Sequence, residues 1–242
     1  MISCTVSALA WILIWHLAAM CIGNEIFLPS PVKVFAVLVE DLIPAENFRR
    51  SLLASLLHIG TGFFMGSIVG ILLAVLSFSN GIISTLLWFP IKVVKSVPVA
   101  SFVILALLWL DSEGLSVFVP AMIVLPTLYI NTLTGLQQTD SRFLDMANVF
   151  ELSLWKRIVY IYIPQALPYV MSAASLAMGM AWKAGVAAEI IGLVKQSIGN
   201  ELYKAKLYLM IPELFAWTIV IVCLSVLCEA VIRLVLYYIE QK

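Results

Sequence analysis

The chain of 242 residues is 63% hydrophobic and only 12% charged, and its mean hydropathy is +1.07. A soluble domain is about 45–50% apolar and about 25% charged, so this composition excludes an ordinary water-soluble domain and predicts an integral membrane protein in contact with lipid. Lys plus Arg and Asp plus Glu both number 14. Because a nucleic-acid binder carries a basic patch or stripe, the balance argues against that partner.

Six apolar segments reach the roughly 20 residues that a spanning helix needs. They are residues 3–23, 52–78, 92–110, 115–136, 166–190 and 213–238. The first basic residue is Lys33, so the amino terminus lacks the basic region of a secretory signal, and we interpret the first segment as a retained helix. The fold class expected is all-α, with six transmembrane helices.

Two shorter elements are predicted between these spans. Residues 32–42 follow the prolines of "LPSP" and have the apolar pattern of a short interfacial helix. Residues 82–98 contain Pro90 and Pro98, which predicts a helix at the membrane boundary that leads into the third span.

Glycines recur in the second span at mostly four-residue spacing. Small residues on one side of a helix let another helix approach closely, so we interpret the stripe as a packing surface, with a ligand path as the alternative. Its members are Gly60, Gly62, Gly66 and Gly70.

Motifs of catalysis and nucleotide binding are absent from the sequence. No GxxxxGK[ST] loop, HExxH or GxSxG occurs, so the chain has no phosphate-binding loop of the usual kind. His16 and His58 are expected to be packed or hydrogen-bonded helix residues. The thiols at positions 4, 21, 223 and 228 show no CxxC pair, and no metal site is predicted.

A charged segment, "DMANVFELSLWKRIVYIYIPQALP", interrupts the apolar chain at residues 145–168. Residues 141–150 and 154–163 suit two short helices, with a turn at 151–153 and Ser153 as the cap that accepts a backbone N–H. Pro164 fits the start of the next span, where its missing N–H matters little. The segment is either an amphipathic connector on the headgroups or a docking surface.

This segment resembles the "EAA" loop of the permease subunits of bacterial ABC importers. The spacing fits Asp145, Met146 and Ala147, then Glu151, then Ile161, Ile163 and Pro164. The stretches "LPSP", "KSVP" and "MAWKAGVAAEIIG" are similar to the nitrate, sulfonate, taurine and pyrimidine-precursor branch, and the resemblance covers the chain from about residue 28 to its end.

The resemblance implies a type I importer permease fold and a single domain over residues 1–242. Residues 1–27 would be an extra helix, and 52–238 the core, with a cytoplasmic coupling loop at 137–165. Segment 145–163 would seat in a groove of an ATP-binding subunit. The contact residues expected are Asp145, Met146, Ala147, Val149, Phe150, Glu151, Leu152, Lys156 and Arg157.

The resemblance also implies partners and a location. They are two ATP-binding subunits that carry ATP and Mg, a second copy of the chain, an extracytoplasmic solute-binding protein and membrane lipid; the chain itself binds no cofactor. The protein would lie in the bacterial inner membrane with both termini cytoplasmic. Counts of Lys and Arg on the two sides do not decide the orientation.

Glu151 stands where the family pattern has glycine. Glycine permits a positive φ, which costs another residue about 1 kcal/mol or more. The sequence leaves open whether the turn is built differently or the carboxylate meets a basic residue of the partner.

Ionisable residues inside spans are functional candidates. Since span five lines the pathway in related permeases, the resemblance makes Trp182, Lys183 and Glu189 candidates for the translocation path, where a cation would suit an anionic solute. The alternative is that Lys183 extends outward or pairs with Glu189. Glu229 and Arg233, four residues apart, predict an ion pair.

Two rival functions remain open from the sequence. A channel or scaffold that works without ATP would make 145–163 a passive surface helix. A membrane enzyme would need paired carboxylates within the spans, and no such pair stands out.

Overall fold

The computed structural model describes the chain from Ile2 to Glu240, with side chains from Thr5 to Tyr238. All regular elements in this range are helical and no strand occurs, as the all-α prediction requires. The helices are α1 (Ile2–Ile22), α2 (Pro31–Ala36), α3 (Glu46–Ser79), α4 (Gly81–Ser96), α5 (Val99–Ala106), α6 (Ser112–Gln137), α7 (Ser141–Val149), α8 (Leu154–Arg157), α9 (Ile163–Gly192), α10 (Ile198–Leu207) and α11 (Ile211–Glu240).

Five helical stretches of the described chain are long and apolar enough to cross a membrane, and the count rises to six if the bent pair α4–α5 forms one span. The five are Thr5–Ile22, Glu46–Ser79, Ser112–Gln137, Leu154–Gly192 and Ile211–Tyr238. They confirm the predicted spans at 3–23, 52–78, 115–136, 166–190 and 213–238.

The predicted span at 92–110 is not one continuous helix. The helix predicted at 82–98 is present as α4, but it stops at Ser96, and α5 leaves it at an angle of 104°. Pro98 explains the break: the residue before a proline is forced toward extended backbone, and Val97 has φ −75° and ψ 129°.

Two π-helical turns in the described chain precede prolines. The turn Val37–Leu42 continues α2 and comes just before Pro44, and Ile158–Tyr162 joins α8 to α9 just before Pro164. A proline ring clashes with the carbonyl four residues earlier in a regular helix. Widening the preceding turn relieves that clash, so the chain from Leu154 to Gly192 stays helical throughout.

The centre of the molecule is built by α3, α6 and α9. Three glycines of α3 lie against the backbone of α6: a Cβ on Gly62, Gly66 or Gly70 would stand 2.3–2.6 Å from a carbonyl oxygen of Val117, Ala121 or Leu125. The packing interpretation is therefore confirmed for these three. Gly60 has open space around it and does not belong to the contact.

The remaining spans flank this centre. In α1, the Trp15 ring stacks on Phe215 of α11 at 5.8 Å, and its Nε1 donates a hydrogen bond to the Pro29 carbonyl at 3.1 Å. The short helix predicted at 32–42 is present as α2 with its π-turn, and its interfacial position stays a prediction.

Candidate functional site

The segment Ser141–Arg157, here called the α7–α8 segment, forms the predicted helix-turn-helix. Asp140 caps α7, since its Oδ1 accepts a hydrogen bond from the Arg142 N–H at 2.9 Å. The Asp140 N–H in turn donates to Gln165 Oε1 in α9 at 2.8 Å. The start of the segment is thereby tied to the helix that follows it, a link that sequence reasoning missed.

Glu151 adopts φ 49°, the left-handed conformation for which the family pattern uses glycine. The Leu152 N–H donates to the Ala147 carbonyl at 2.9 Å, and the Glu151 N–H to the Asn148 carbonyl at 3.1 Å. This pair of bonds is a Schellman motif, the common end of a helix at a left-handed residue. The turn is therefore built as a glycine would build it, and Glu151 carries the strain.

Arg157 holds the two short helices together. Its Nε donates to the Leu152 carbonyl at 2.9 Å, its Nη1 to Asn148 Oδ1 at 2.8 Å and its Nη2 to the Ala147 carbonyl at 3.4 Å. The guanidinium is thus engaged inside the segment, and its contact with an ATP-binding subunit stays a prediction. A planar group with five donors suits this role.

Ser153 precedes α8 as predicted, but its side chain forms no capping hydrogen bond, so that detail of the prediction is wrong. The helix runs on from α8 through the π-turn into α9 and does not stop at Pro164. The segment and the span are consequently one continuous helix after the turn.

Large apolar side chains project from the α7–α8 segment. Val149 and Leu154 are 79% exposed, Phe150 is 70% and Trp155 73% exposed. Together with Met146, these four residues are called the apolar face. Leu154 and Trp155 were missed from the sequence, where they read as part of an ordinary helix.

The other residues expected at a coupling surface are divided between interior and surface. Ala147 is fully buried and Leu152 is half-buried, so both pack under the turn. Asp145, Glu151 and Lys156 are exposed, and none of them forms an ion pair among the described side chains.

Lys183 lines a cavity of about 620 Å³ between α4, α5, α6 and α9. Lys95 of α4 lines the same cavity, as do Thr127 and Asn131 of α6. These three were missed from the sequence, because no spacing rule connects groups so far apart along the chain. The remaining lining residues are Val94, Val99, Ile123, Pro126, Ile130, Met180, Ala184 and Ala187.

Trp182 and Glu189 lie in the packed interior, in contrast to Lys183. Trp182 is 1% exposed and belongs to the main apolar core, and Glu189 is fully buried. The predicted pairing of Lys183 with Glu189 does not occur, since the Glu189 carboxylate is occupied by other donors. Neither Trp182 nor Glu189 is among the described residues that line the cavity beside Lys183.

The Glu189 carboxylate joins four helices. Its Oε2 accepts from Ser55 Oγ of α3 at 2.8 Å and from the Gly199 N–H of α10 at 3.0 Å, and its Oε1 accepts from Ser116 Oγ of α6 at 3.1 Å. Ser55 Oγ also accepts from the Ile198 N–H at 2.9 Å. The otherwise unpaired N–H groups that begin α10 are satisfied in this way, and a negative charge is favourable there.

The remaining predictions on side chains have mixed outcomes. Arg233 pairs with Glu229 at 2.6 Å, which confirms that ion pair. Cys21, Cys223 and Cys228 are free thiols, and Cys4 lies outside the described side chains. The Nδ1 atoms of His16 and His58 are buried without a hydrogen-bond partner, so both residues are packed but not bonded there. No cluster of metal-binding side chains occurs between residues 5 and 238.

Comparison with known proteins matches residues 66–242 to the family model of binding-protein-dependent transport system inner membrane components. The chain is 24% identical over 225 residues to SsuC of Bacillus subtilis, named as a permease for aliphatic sulfonates transport, covering 92% of this chain and 81% of SsuC. It is 28% identical over 188 residues to the nitrate import permease protein NrtB of Synechococcus elongatus, covering 74% and 67%. The bicarbonate transport system permease protein CmpB of the same species is 24% identical over 194 residues, covering 76% and 69%.

The matched region contains the cavity, the α7–α8 segment and the Glu189 network, apart from Ser55. This all-helical membrane protein therefore belongs to the binding-protein-dependent transport system inner membrane components, as an ABC importer permease of the branch that includes the sulfonate, nitrate and bicarbonate permeases.

Proposed function

We propose that this chain is the permease subunit of an ATP-driven importer. The α7–α8 segment couples ATP hydrolysis on separate subunits to a solute path that runs between α4, α5, α6 and α9. The family makes the chain a transport component for small solutes rather than an enzyme. The ATP-binding subunits, their ATP and Mg, and delivery by an extracytoplasmic binding protein belong to the proposal.

The apolar face carries the proposal. Val149, Phe150, Leu154 and Trp155 are each at least 70% exposed, on a segment whose backbone is fixed by the Schellman turn and by Arg157. A rigid, protruding apolar surface with charged neighbours has the composition of an interface centre. We expect this apolar face to seat in a groove of an ATP-binding subunit.

The continuous helix from Leu154 to Gly192 supplies the mechanical connection. A partner that moves the apolar face moves the same helix that carries Lys183 into the cavity. The Phe78 ring of α3 meets the Tyr162 ring at 5.3 Å, so the end of α3 contacts the π-turn as well. Movement at the segment can therefore reach both helices around the centre.

The assembly proposed contains two copies of this chain and two ATP-binding subunits. The α7–α8 segments lie on the cytoplasmic side, and with six spans both termini lie there as well. The helix α10, on the opposite side of the membrane, faces the binding protein.

The test is a pull-down of the tagged chain from mild detergent, with mass spectrometry of the proteins that follow it. The proposal expects an ATP-binding subunit at about one per chain. Phe150→Ala should weaken the binding of this subunit by about 2 kcal/mol or more, the range of residues at an interface centre, and should therefore lower the amount retained. Phe35→Ala, at an α2 side chain that is 65% exposed, is the matched control and should retain the partner.

Retention that is equal for Phe150→Ala and Phe35→Ala would contradict the coupling role of the segment. A chain that comes out without any ATP-binding subunit would contradict the ATP-driven importer, and the channel or scaffold that works without ATP would replace it.

A further inference from the structure

Two lysines of the cavity have no acidic partner. The ion pairs among the described side chains involve Lys33, Arg50, Lys204 and Arg233, not Lys95 or Lys183. No Asp or Glu is among the described residues that line this cavity. Two positive charges therefore face one apolar space without a counter-charge from the protein.

The position of Lys183 makes this arrangement costly. It lies nine residues before Gly192, the end of α9, which is about 13 Å along the helix. The hydrocarbon core of a bilayer is about 30 Å thick, so the residue lies well inside the span. Charged groups at such depth are rare and normally face a partner, a water-filled cavity or a solute path.

Neutral polar groups complete the lining. Asn131 Nδ2 donates one N–H to the Thr127 carbonyl at 2.8 Å, and its second N–H is free to donate to a ligand. Two ammonium groups and an amide donor are hydrogen-bond donors, the chemistry that an oxyanion accepts.

Lys95 also lines a second cavity, of about 330 Å³, between α4 and α6. Lys92 lines this second cavity, with its Nζ 4.6 Å from the centre of the Trp88 ring. Gln137, the last residue of α6, lies there too, so the second cavity extends toward the α7–α8 segment. Lys95 is thus shared by two cavities, with Lys183 in one and Lys92 in the other.

We propose that Lys95 and Lys183 form a binding site for a small oxyanion, and that Lys95 passes the anion to Lys92 on the way to the α7–α8 side. The proposal rests on the proposed function, because it names the class of solute that the importer carries. The anion supplies the counter-charge that the protein lacks.

The test measures binding by equilibrium dialysis, with the full-length chain and its co-purifying subunits in phosphatidylcholine nanodiscs. The probes are 14C-bicarbonate and 14C-methanesulfonate, with 14C-urea as the neutral comparison. Saturable retention of at least one anion above the urea level is expected. Lys95→Gln and Lys183→Gln should each weaken it about tenfold or more, since a hydrogen bond to a charged group contributes about 1.5–3 kcal/mol.

Three further variants separate the site from a general effect of charge. Arg49→Gln, at an exposed arginine near the start of α3 without an ion pair among the described side chains, should bind as the unchanged chain does. Lys95→Arg should retain binding, which guards against a Gln variant that fails to fold. Lys92→Gln should retain binding but lower the uptake rate in vesicles.

Retention of neither anion above the urea level would overturn the proposal. So would retention in Lys95→Gln and Lys183→Gln that equals that of the unchanged chain. A lipid headgroup is the other source of an anion: if adding phosphatidylglycerol to the nanodiscs abolishes retention, the site holds a lipid and not a solute. Binding needs no ATP, so it can succeed where the pull-down of ATP-binding subunits fails, and the two proposals can fail separately.

Discussion

Glu151 occupies a conformation with φ 49° that glycine adopts with little strain. The left-handed region costs a residue with a side chain about 1–2 kcal/mol, and glycine loses part of this gain through its larger entropy in the unfolded chain. Glu151→Gly is therefore expected to stabilise the protein by about 1 kcal/mol, measured as a higher thermal unfolding midpoint in detergent.

The control for this prediction is Asp145→Gly, at an exposed position inside α7. Glycine in a helix interior costs about 0.5–1 kcal/mol, so this variant should be less stable. A lower midpoint for both variants would show that the turn at Glu151 does not carry the strain described.

Glu189 makes a second prediction at the residue scale. Glu189→Ala leaves the hydroxyls of Ser55 and Ser116 and the Gly199 N–H without their acceptor in a buried site. Removing one partner of a buried charged group typically costs about 3–5 kcal/mol. Hydrogen exchange at the Ile198 and Gly199 amides should speed up strongly.

Glu189→Gln keeps one carbonyl oxygen as an acceptor and should lie between Ala and the unchanged chain. Glu201→Ala removes an ion pair with Lys204 at the surface of the same helix α10, which is worth about 0–1 kcal/mol. Equal exchange in Glu189→Ala and Glu201→Ala would show that the buried carboxylate does not fix α10.

Sequence reasoning singled out Glu151, Lys183 and Glu189, but it predicted only part of their conformations and contacts. The family pattern correctly marked position 151 as one that requires a positive φ. The proposed Lys183–Glu189 pair failed for a geometric reason: six positions in an α-helix correspond to about 240° of rotation, which points the two side chains to different sides. The partners of Glu189 come from α3, α6 and α10, and only the folded chain brings them together.

At the scale of elements, the contact of α3 with α6 depends on three glycines. A Cβ on Gly66 would stand 2.4 Å from the Ala121 carbonyl oxygen, and backbone on both sides leaves little room to adjust. Gly66→Ala should therefore destabilise the protein by about 1–3 kcal/mol, the usual range for an overpacked core, measured by thermal unfolding.

Gly60→Ala is the matched control, because the same helix carries Gly60 with nothing within 4 Å of the added Cβ. Alanine is favoured over glycine in a helix by up to about 1 kcal/mol, so this variant should be neutral or slightly stabilising. A loss of stability in Gly60→Ala equal to that in Gly66→Ala would contradict the role of close packing.

Apolar length predicted five spans correctly, but proline positions did not show where a helix ends. Pro90, Pro120 and Pro126 all lie inside helices, whereas Pro98 ends one. The difference lies in the residue before it: Val97 is extended, while the residues before the other prolines remain helical. In a membrane bundle neighbouring groups and local adjustments satisfy the backbone that a proline frees, so the sequence alone does not decide between a helical and a broken proline.

At the scale of the whole molecule, the two functional features lie along one continuous helix. The apolar face is next to its start at Leu154, and Lys183 enters the cavity nine residues before its end at Gly192. The sequence pointed separately to segment 145–163 as a docking surface and to Lys183 as a residue of the path. It did not predict their connection, because Pro164 indicated a break where a π-turn preserves the helix.

The most direct test of the account is ATP hydrolysis by the complete complex in proteoliposomes, measured with and without its binding protein. If the apolar face couples hydrolysis to the path, Phe150→Ala should lose most of the stimulation by the binding protein, while Phe35→Ala should respond as the unchanged complex does. Full stimulation in Phe150→Ala, with the subunits still assembled, would contradict coupling through the α7–α8 segment.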